Sequence, residues 1–390
     1  MIEIIKKEDC TGCHACYNVC PKECITMEHD VEGFLYPNIN TKKCIGCNLC
    51  EKICPIIHQE KVDNNPLAYG CHNKNEEIRS QSTSGGIFTL IAEHVINSGG
   101  IVFGAEFDEN YNVRHNSADD ILGIEKFRGA KYVQSKIGDT YKQVKQLLKE
   151  DKMVLFTGTP CQIGGLKSYL KKDYCNLICQ DIICHGVPSQ YVWQHYKNLI
   201  SKDRNIKKIN FRDKSTGWKK YSLKLEFIGG RSYEEVGNEN AYIKGFIKNL
   251  YLRPSCYECA YKTLNRQSDI TLADFWGVEG ILPNLDDNKG TSLIFINSDK
   301  GKFLFDKIKN DVVYENVHIE KSIVFNPCAI KSCIYNKKRD LFMDNYKDNN
   351  FTDFIYELTE DNPNSKLFIF IKKFMFEIKS ITKIILYSSK

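Results

Sequence analysis

Residues 10–21 read CTGCHACYNVCP and residues 44–55 read CIGCNLCEKICP, an internal repeat with an offset of 34 residues. Both copies are C-x2-C-x2-C-x3-C-P. Three cysteines within seven residues let a short loop wrap one face of an iron-sulfur cubane. The fourth lies too far along to close the same site and ligates the other cluster. The spacing therefore predicts two 4Fe-4S sites, one held by Cys10, Cys13, Cys16 and Cys54 and the other by Cys44, Cys47, Cys50 and Cys20. Pro21 and Pro55 end the loops. Zinc is the competing reading of any CxxC, but a structural zinc takes four ligands in two pairs, not two sets of three plus one. Cys24 falls outside both patterns and reads as a small buried hydrophobe.

Working outward, the rest of the 390 residues is too long for one small module. Composition is that of a soluble globular protein, 42% hydrophobic and 26% charged. Eighteen cysteines, in a chain opening MIEIIKKEDC with no apolar leader, favour metal ligation over disulfides and a cytoplasmic location. The formal charge of +5 is of the size that filled clusters offset, at about two negative charges each, so it implies no nucleic-acid partner. No stretch reaches the length of a membrane span. Residues 365–390 interleave apolar residues with Lys372, Lys373, Lys379 and Lys383, a pattern compatible with contact to a membrane surface or packing against protein.

Residues 1–60 form the expected two-cluster domain, and the polar stretch 58–66 reads as a linker. From residue 67 apolar strand-like runs alternate with amphipathic helical stretches, which predicts a mixed α/β body, an α+β or α/β fold overall. The body divides in sequence into 67–150 and 151–345, with a helical tail over 346–390. Residues 153–172, MVLFTGTPCQIGGLKSYLKK, read as buried strand, tight turn and helix, with Cys161 at the turn. Cys184 ends the next strand, and Cys256 and Cys259 form a CxxC. By spacing alone these four suit either zinc or a third cluster. His185 reads as a hydrogen-bonded structural residue, and Asp269 and Asp274 as turn caps.

The succession STSGGIFT (82–89), FRGAKYVQS (127–135), FTGTPCQIGGLK (156–167), DIICHGVPS (181–189), RPSCYEC (253–259) and SDITLADFWG (268–277) resembles, in order and spacing, the coenzyme F420 hydrogenase/dehydrogenase beta-subunit family. The resemblance covers about residues 1–345. It implies that Cys161, Cys184, Cys256 and Cys259 hold a third 4Fe-4S cluster beside FAD. It also implies FAD contacts from Ser84, Gly85, Gly86, Lys131, Tyr132, Gln134, Gly158 and Thr159. The expected activity is that of an FAD and 4Fe-4S oxidoreductase working between ferredoxin or another redox protein and an organic substrate or a deazaflavin such as coenzyme F420. No catalytic residue is assigned. The alternative is a non-catalytic electron-transfer subunit of a larger redox complex, with a link to surface-polysaccharide biosynthesis. Cys24, Cys71, Cys175, Cys179, Cys328 and Cys333 carry no assigned role.

Overall fold

The computed structural model describes residues 1–359. The lysine-rich 365–390 segment lies outside them, as does most of the expected carboxyl-terminal tail.

The amino-terminal lobe is built on the repeat. Each cysteine loop turns through two left-handed residues at equivalent places, Gly12 and His14 in the first copy (φ 67° and 63°), Gly46 and Asn48 in the second (67° and 56°). A side chain at Gly12 or Gly46 is strained at that φ, which is why both copies keep glycine there. A short helix follows each loop, Ala15–Val19 and Leu49–Lys52. Between the loops, β1 (Ile25–His29) and β2 (Leu35–Ile39) pair antiparallel with Ile25 opposite Ile39. Asp30 Oδ1 accepts from the amides of Glu32 and Phe34 and so closes this hairpin.

The body centres on an eight-stranded sheet. Its strands are β3 (Leu67–Asn73), β4 (Ile101–Phe107), β5 (Val113–Ala118), β6 (Val154–Thr157), β7 (Leu177–Ile182), β11 (Ile270–Asp274), β12 (Ser292–Ile296) and β13 (Val312–Asn316). They run in the order β13-β3-β12-β11-β7-β6-β4-β5. Four consecutive strands, β11, β7, β6 and β4, are parallel neighbours. Their apolar runs fit that position, since helices cover both faces and Val154, Leu155 and Phe156 are fully buried. Strands from both sides of residue 150 enter this one sheet. Between β7 and β11 in sequence, a second sheet of three strands forms from β8 (Ile206–Asp213), β9 (Ser222–Phe227) and β10 (Ser232–Val236), with β9 central. Residues 221–227 alternate apolar and polar side chains, and Leu223, Leu225 and Phe227 enter a core with Trp193, Phe211 and Tyr242.

The lobe is bolted to the body. Arg253, fully buried, donates from Nε to the Cys10 carbonyl (2.7 Å), from Nη1 to Gln134 Oε1 (3.0 Å) and from Nη2 to the Leu35 carbonyl (3.0 Å). At the hairpin tip Glu32 takes a two-pronged ion pair from Arg339 (2.6 and 2.9 Å). The 58–66 stretch is extended but not free: Asn64 Nδ2 donates to the carbonyls of Arg266 and Asn297, and Gln59 Nε2 to that of Ala260. Side-chain amides satisfy backbone acceptors along a segment that polarity alone marks as a linker.

Candidate metal centres

Three pockets hold the twelve predicted cysteines. One is lined by Cys10, Cys13, Cys16 and Cys54. A second is lined by Cys20, Cys44, Cys47 and Cys50, joined by Cys24. The third is lined by Cys161, Cys184, Cys256 and Cys259, joined by Cys328 and His185. The loop geometry of the repeat accounts for the crossed assignment. The left-handed pair turns the first three cysteines of each copy to one pocket, and the short helix carries the fourth to the other.

Spacing separates cluster from single ion. A tetrahedral zinc at about 2.3 Å from each sulfur sets those sulfurs about 3.8 Å apart. Among the described residues no three of the twelve bring their sulfurs within 4.8 Å of one another. The sets are too open for one ion and leave space for a larger group.

Burial sets the electrostatics. Cys13, Cys161, Cys184 and Cys256 all have thiols pushed up to about 12, first by burial. Neighbouring thiols add to the rise, Cys10 and Cys54 at Cys13, and Cys259 and Cys256 at Cys161. Four thiolates held together in a buried site need compensating positive charge, which a thiolate-ligated metal supplies. Amides and hydroxyls point at the sulfurs. The Ile2 amide donates to Cys50 Sγ (3.2 Å), the Val187 amide to Cys256 Sγ (3.4 Å), and Thr159 Oγ1 lies 3.1 Å from Cys161 Sγ.

The first and third pockets adjoin. Thr11 lines both. The helix Pro160–Leu170 carries Cys161 in its first turn and Gly165 one turn later. A Cβ at Gly165 would stand 2.8 Å from Cys13 Cβ and 3.0 Å from its sulfur. A Cβ at Gly164 would meet the Tyr261 ring at 2.6 Å. Gly165 lets the helix press against the amino-terminal lobe, and Gly164 lets it pack on Tyr261 of the body. Gly165→Val is expected to force the Cys10–Cys16 loop outward, destabilise the protein by about 1–3 kcal/mol and lower iron content. Anaerobic denaturation and iron analysis check this, and unchanged iron with unchanged stability would refute the close approach.

The blocks that carry the residues implied as FAD contacts are joined by hydrogen bonds. The Ala130 amide donates to Thr83 Oγ1 and Gln162 Nε2 to the Ser135 carbonyl, while within one block the Thr159 amide donates to Gln162 Oε1. Individually they differ. Ser84 Oγ donates to the Thr291 carbonyl and the Gly85 amide donates to Ser292 Oγ, so both hold the end of β12. Gly86 caps the helix Ile87–Asn97 with φ 80° and no side-chain cap. Gln134 is engaged by Thr11 and Arg253, at the lobe interface. The Gly158 amide donates to the Gln180 carbonyl. Tyr132 stacks on Phe246 at 4.8 Å, and its hydroxyl accepts from Arg212 (3.3 Å). Lys131 is half-buried, its ammonium donating among the described residues to the carbonyls of Phe127, Arg128 and Gly129, and desolvation lowers its pKa to about 8.

Arg212 was not visible in sequence. It is 3% exposed, pairs with Asp274 Oδ2 at 2.9 Å and lies over the Tyr221 ring at 3.8 Å. Its Nε and Nη2 have no hydrogen-bond partner among the described residues. Asp274 is thus an ion-pair partner, not the turn cap its position suggested, because β8 brings a cation to the end of β11. Asp269 is not a local turn cap either: its carboxylate accepts from the Cys179 amide in β7 and from Ser298 Oγ, tying neighbouring elements together. Cys24 is buried in the apolar core of the lobe, as its reading as a small hydrophobe expects, with its sulfur 3.3 Å from Cys20 Sγ.

Cysteine sets of this spacing on this scaffold define an iron-sulfur electron-transfer protein. Residues 9–56 match the family model of the 4Fe-4S dicluster domain. Residues 151–322 match the model that describes the C terminus of the beta subunit in coenzyme F420 hydrogenase/dehydrogenase. The chain thus carries a region similar to the C terminus of the coenzyme F420 hydrogenase/dehydrogenase beta subunit, with a 4Fe-4S dicluster domain ahead of it. No curated protein matches it. Among solved structures it is similar to a chain of the xenon-derivatised F420-reducing NiFe hydrogenase complex from Methanosarcina barkeri, at 16% identity and a TM-score of 0.45, covering 74% of this chain and 93% of that one. Among the described residues no helix is long and apolar enough to cross a membrane.

Proposed function

We propose that the chain is an FAD and iron-sulfur oxidoreductase that passes electrons between ferredoxin-type clusters and a flavin, and from there to or from an organic substrate or a deazaflavin of the coenzyme F420 kind. The observation that carries this is the third set of four cysteines, contiguous through Thr11 and the Pro160–Leu170 helix with the first set. An isolated ferredoxin has no use for that junction. When bound, FAD supplies the exchange between two-electron substrates and one-electron carriers, and the clusters supply one-electron transfer.

The chain's own groups do the rest. Cys161, Cys184, Cys256 and Cys259 would hold the third cluster, within a wall that Arg253 and Thr11 share with the amino-terminal lobe. For FAD, the test is whether the polar groups fit an anion. The unpartnered Nε and Nη2 of buried Arg212 fit one, as do half-buried Lys131 and the uncapped turn opened by Gly86. Lys214 adds a further cation nearby: its ammonium donates to the Ser84 carbonyl, and its pKa is lowered to about 8 by burial, then by Arg79 and Arg212. Tyr132, held between Phe246 and Arg212, offers a ring at the same place.

Both lysines lose their protons as pH rises through about 8, well below the usual lysine value. Affinity for the diphosphate is therefore expected to be highest below pH 8 and to weaken about thirtyfold by pH 9.5, each of the two lost charges removing about 1 kcal/mol. Titration with ADP as a soluble stand-in checks the direction, and affinity that rises with pH would refute the assignment of these cations. The functional reading is tested by anaerobic reconstitution with iron, sulfide and FAD. About twelve irons and one FAD per chain are expected, and a protein that takes up the irons but no flavin would leave the dicluster lobe as an electron carrier only.

A further inference from the structure

We propose that His185, Cys328 and Cys333 form a mononuclear site for a soft divalent cation, zinc above all, distinct from the three cysteine sets. Among the described residues this is the group whose donor atoms all lie within 4.8 Å of one another, the spacing of a single ion. Cys328 Sγ lies 3.5 Å from His185 Nδ1. A tetrahedral zinc with bonds of about 2.3 Å to sulfur and 2.0 Å to nitrogen sets those two atoms about 3.5 Å apart.

The histidine is held in the tautomer a metal requires. Asn249 Nδ2 donates to the Ile334 carbonyl (2.9 Å), which turns Asn249 Oδ1 toward His185 Nε2 at 2.7 Å. Oδ1 only accepts, so Nε2 carries the proton and Nδ1 presents a lone pair toward Cys328. An amide that fixes the far nitrogen while the near one faces two thiols is the arrangement found behind metal-bound imidazoles. The loop bearing the cysteines is also fixed, since Lys262 Nζ donates to the carbonyls of Cys328 (3.1 Å) and Cys184. Cys333 is buried, with its thiol hydrogen-bonded to the His185 carbonyl, and Cys328 is half-buried at the wall of the third pocket.

Binding releases the two thiol protons and gives a neutral centre of one dication, two thiolates and one imidazole. Three protein donors leave one position of a tetrahedral ion to water or an outside ligand, as in zinc sites that handle substrates. Nothing in this depends on a cluster at Cys161, Cys184, Cys256 and Cys259.

The test is metal analysis of anaerobically purified full-length protein, with iron and zinc measured in the same samples, together with Co2+ titration of zinc-stripped protein as a spectroscopic probe. Expected are one zinc per chain, loss of that zinc but not of iron in the Cys328→Ser/Cys333→Ser double variant, and a ten- to hundredfold weaker Co2+ affinity in Asn249→Ala, about the cost of losing such a second contact. Cys161→Ser should lose iron and keep zinc, which separates this site from the third cluster. Wild-type protein that holds no zinc and binds no Co2+, a double variant that retains zinc, or a Cys328–Cys333 disulfide in anaerobically isolated protein would each overturn the proposal.

Discussion

Cys161→Ser is expected to take the reconstituted chain from about twelve irons to about eight and to break electron exchange between bound flavin and the amino-terminal lobe. Cys161 opens the helix that also touches Cys13, so this position joins the third set to the first. The serine keeps the volume and leaves the Thr159, Gln162 capping box intact, so the fold should survive. Iron analysis, and reduction of the protein by a two-electron donor against dithionite, measure the two effects. A variant that keeps twelve irons would remove Cys161 from the ligand set. One that loses four irons but is reduced by the two-electron donor as fast as wild type would remove the third cluster from the electron path.

Arg253→Ala should be the most damaging single change at the junction of lobe and body. The guanidinium is fully buried and satisfies the carbonyls of Cys10 and Leu35 as well as Gln134 Oε1. It also lies over the Tyr36 ring at 4.3 Å. Truncation leaves two buried carbonyls and an amide without donors and opens a cavity against Phe34 and Tyr36, a cost of about 3–5 kcal/mol. Anaerobic denaturation should show the loss, with the amino-terminal clusters becoming oxygen-labile first. Arg253→Lys, which keeps the charge but not the fork, should recover only part of it. Wild-type stability in the alanine variant would mean that the lobe is held elsewhere, by the Glu32–Arg339 pair above all.

What could be read from sequence follows from where each signal sits. The repeat was legible because cluster ligation is metric: three cysteines at fixed spacing must share a loop, and Gly12 and Gly46 mark where that loop turns left-handed. The strands over 101–107 and 153–157 were legible because buried parallel strands are near-continuous apolar runs. The sheet order was not, since nothing local tells β12 and β3 to run antiparallel beside β11. Asp274 looked like a cap because its partner Arg212 lies 62 residues earlier, on a different sheet. Cys328 and Cys333 were silent for the same reason, as His185 and Asn249 reach them only through the fold. The 58–66 segment looked like a free linker because its anchors, Arg266 and Asn297, are more than two hundred residues away.

The most direct test of the account is the visible spectrum of anaerobically reconstituted protein, with and without FAD, on addition of reduced coenzyme F420, with reduced ferredoxin as the one-electron control. The account predicts that ferredoxin bleaches the clusters in both samples, while the two-electron donor bleaches them only when FAD is bound. Failure to bind FAD, or cluster bleaching by the two-electron donor at the same rate without flavin, would contradict it.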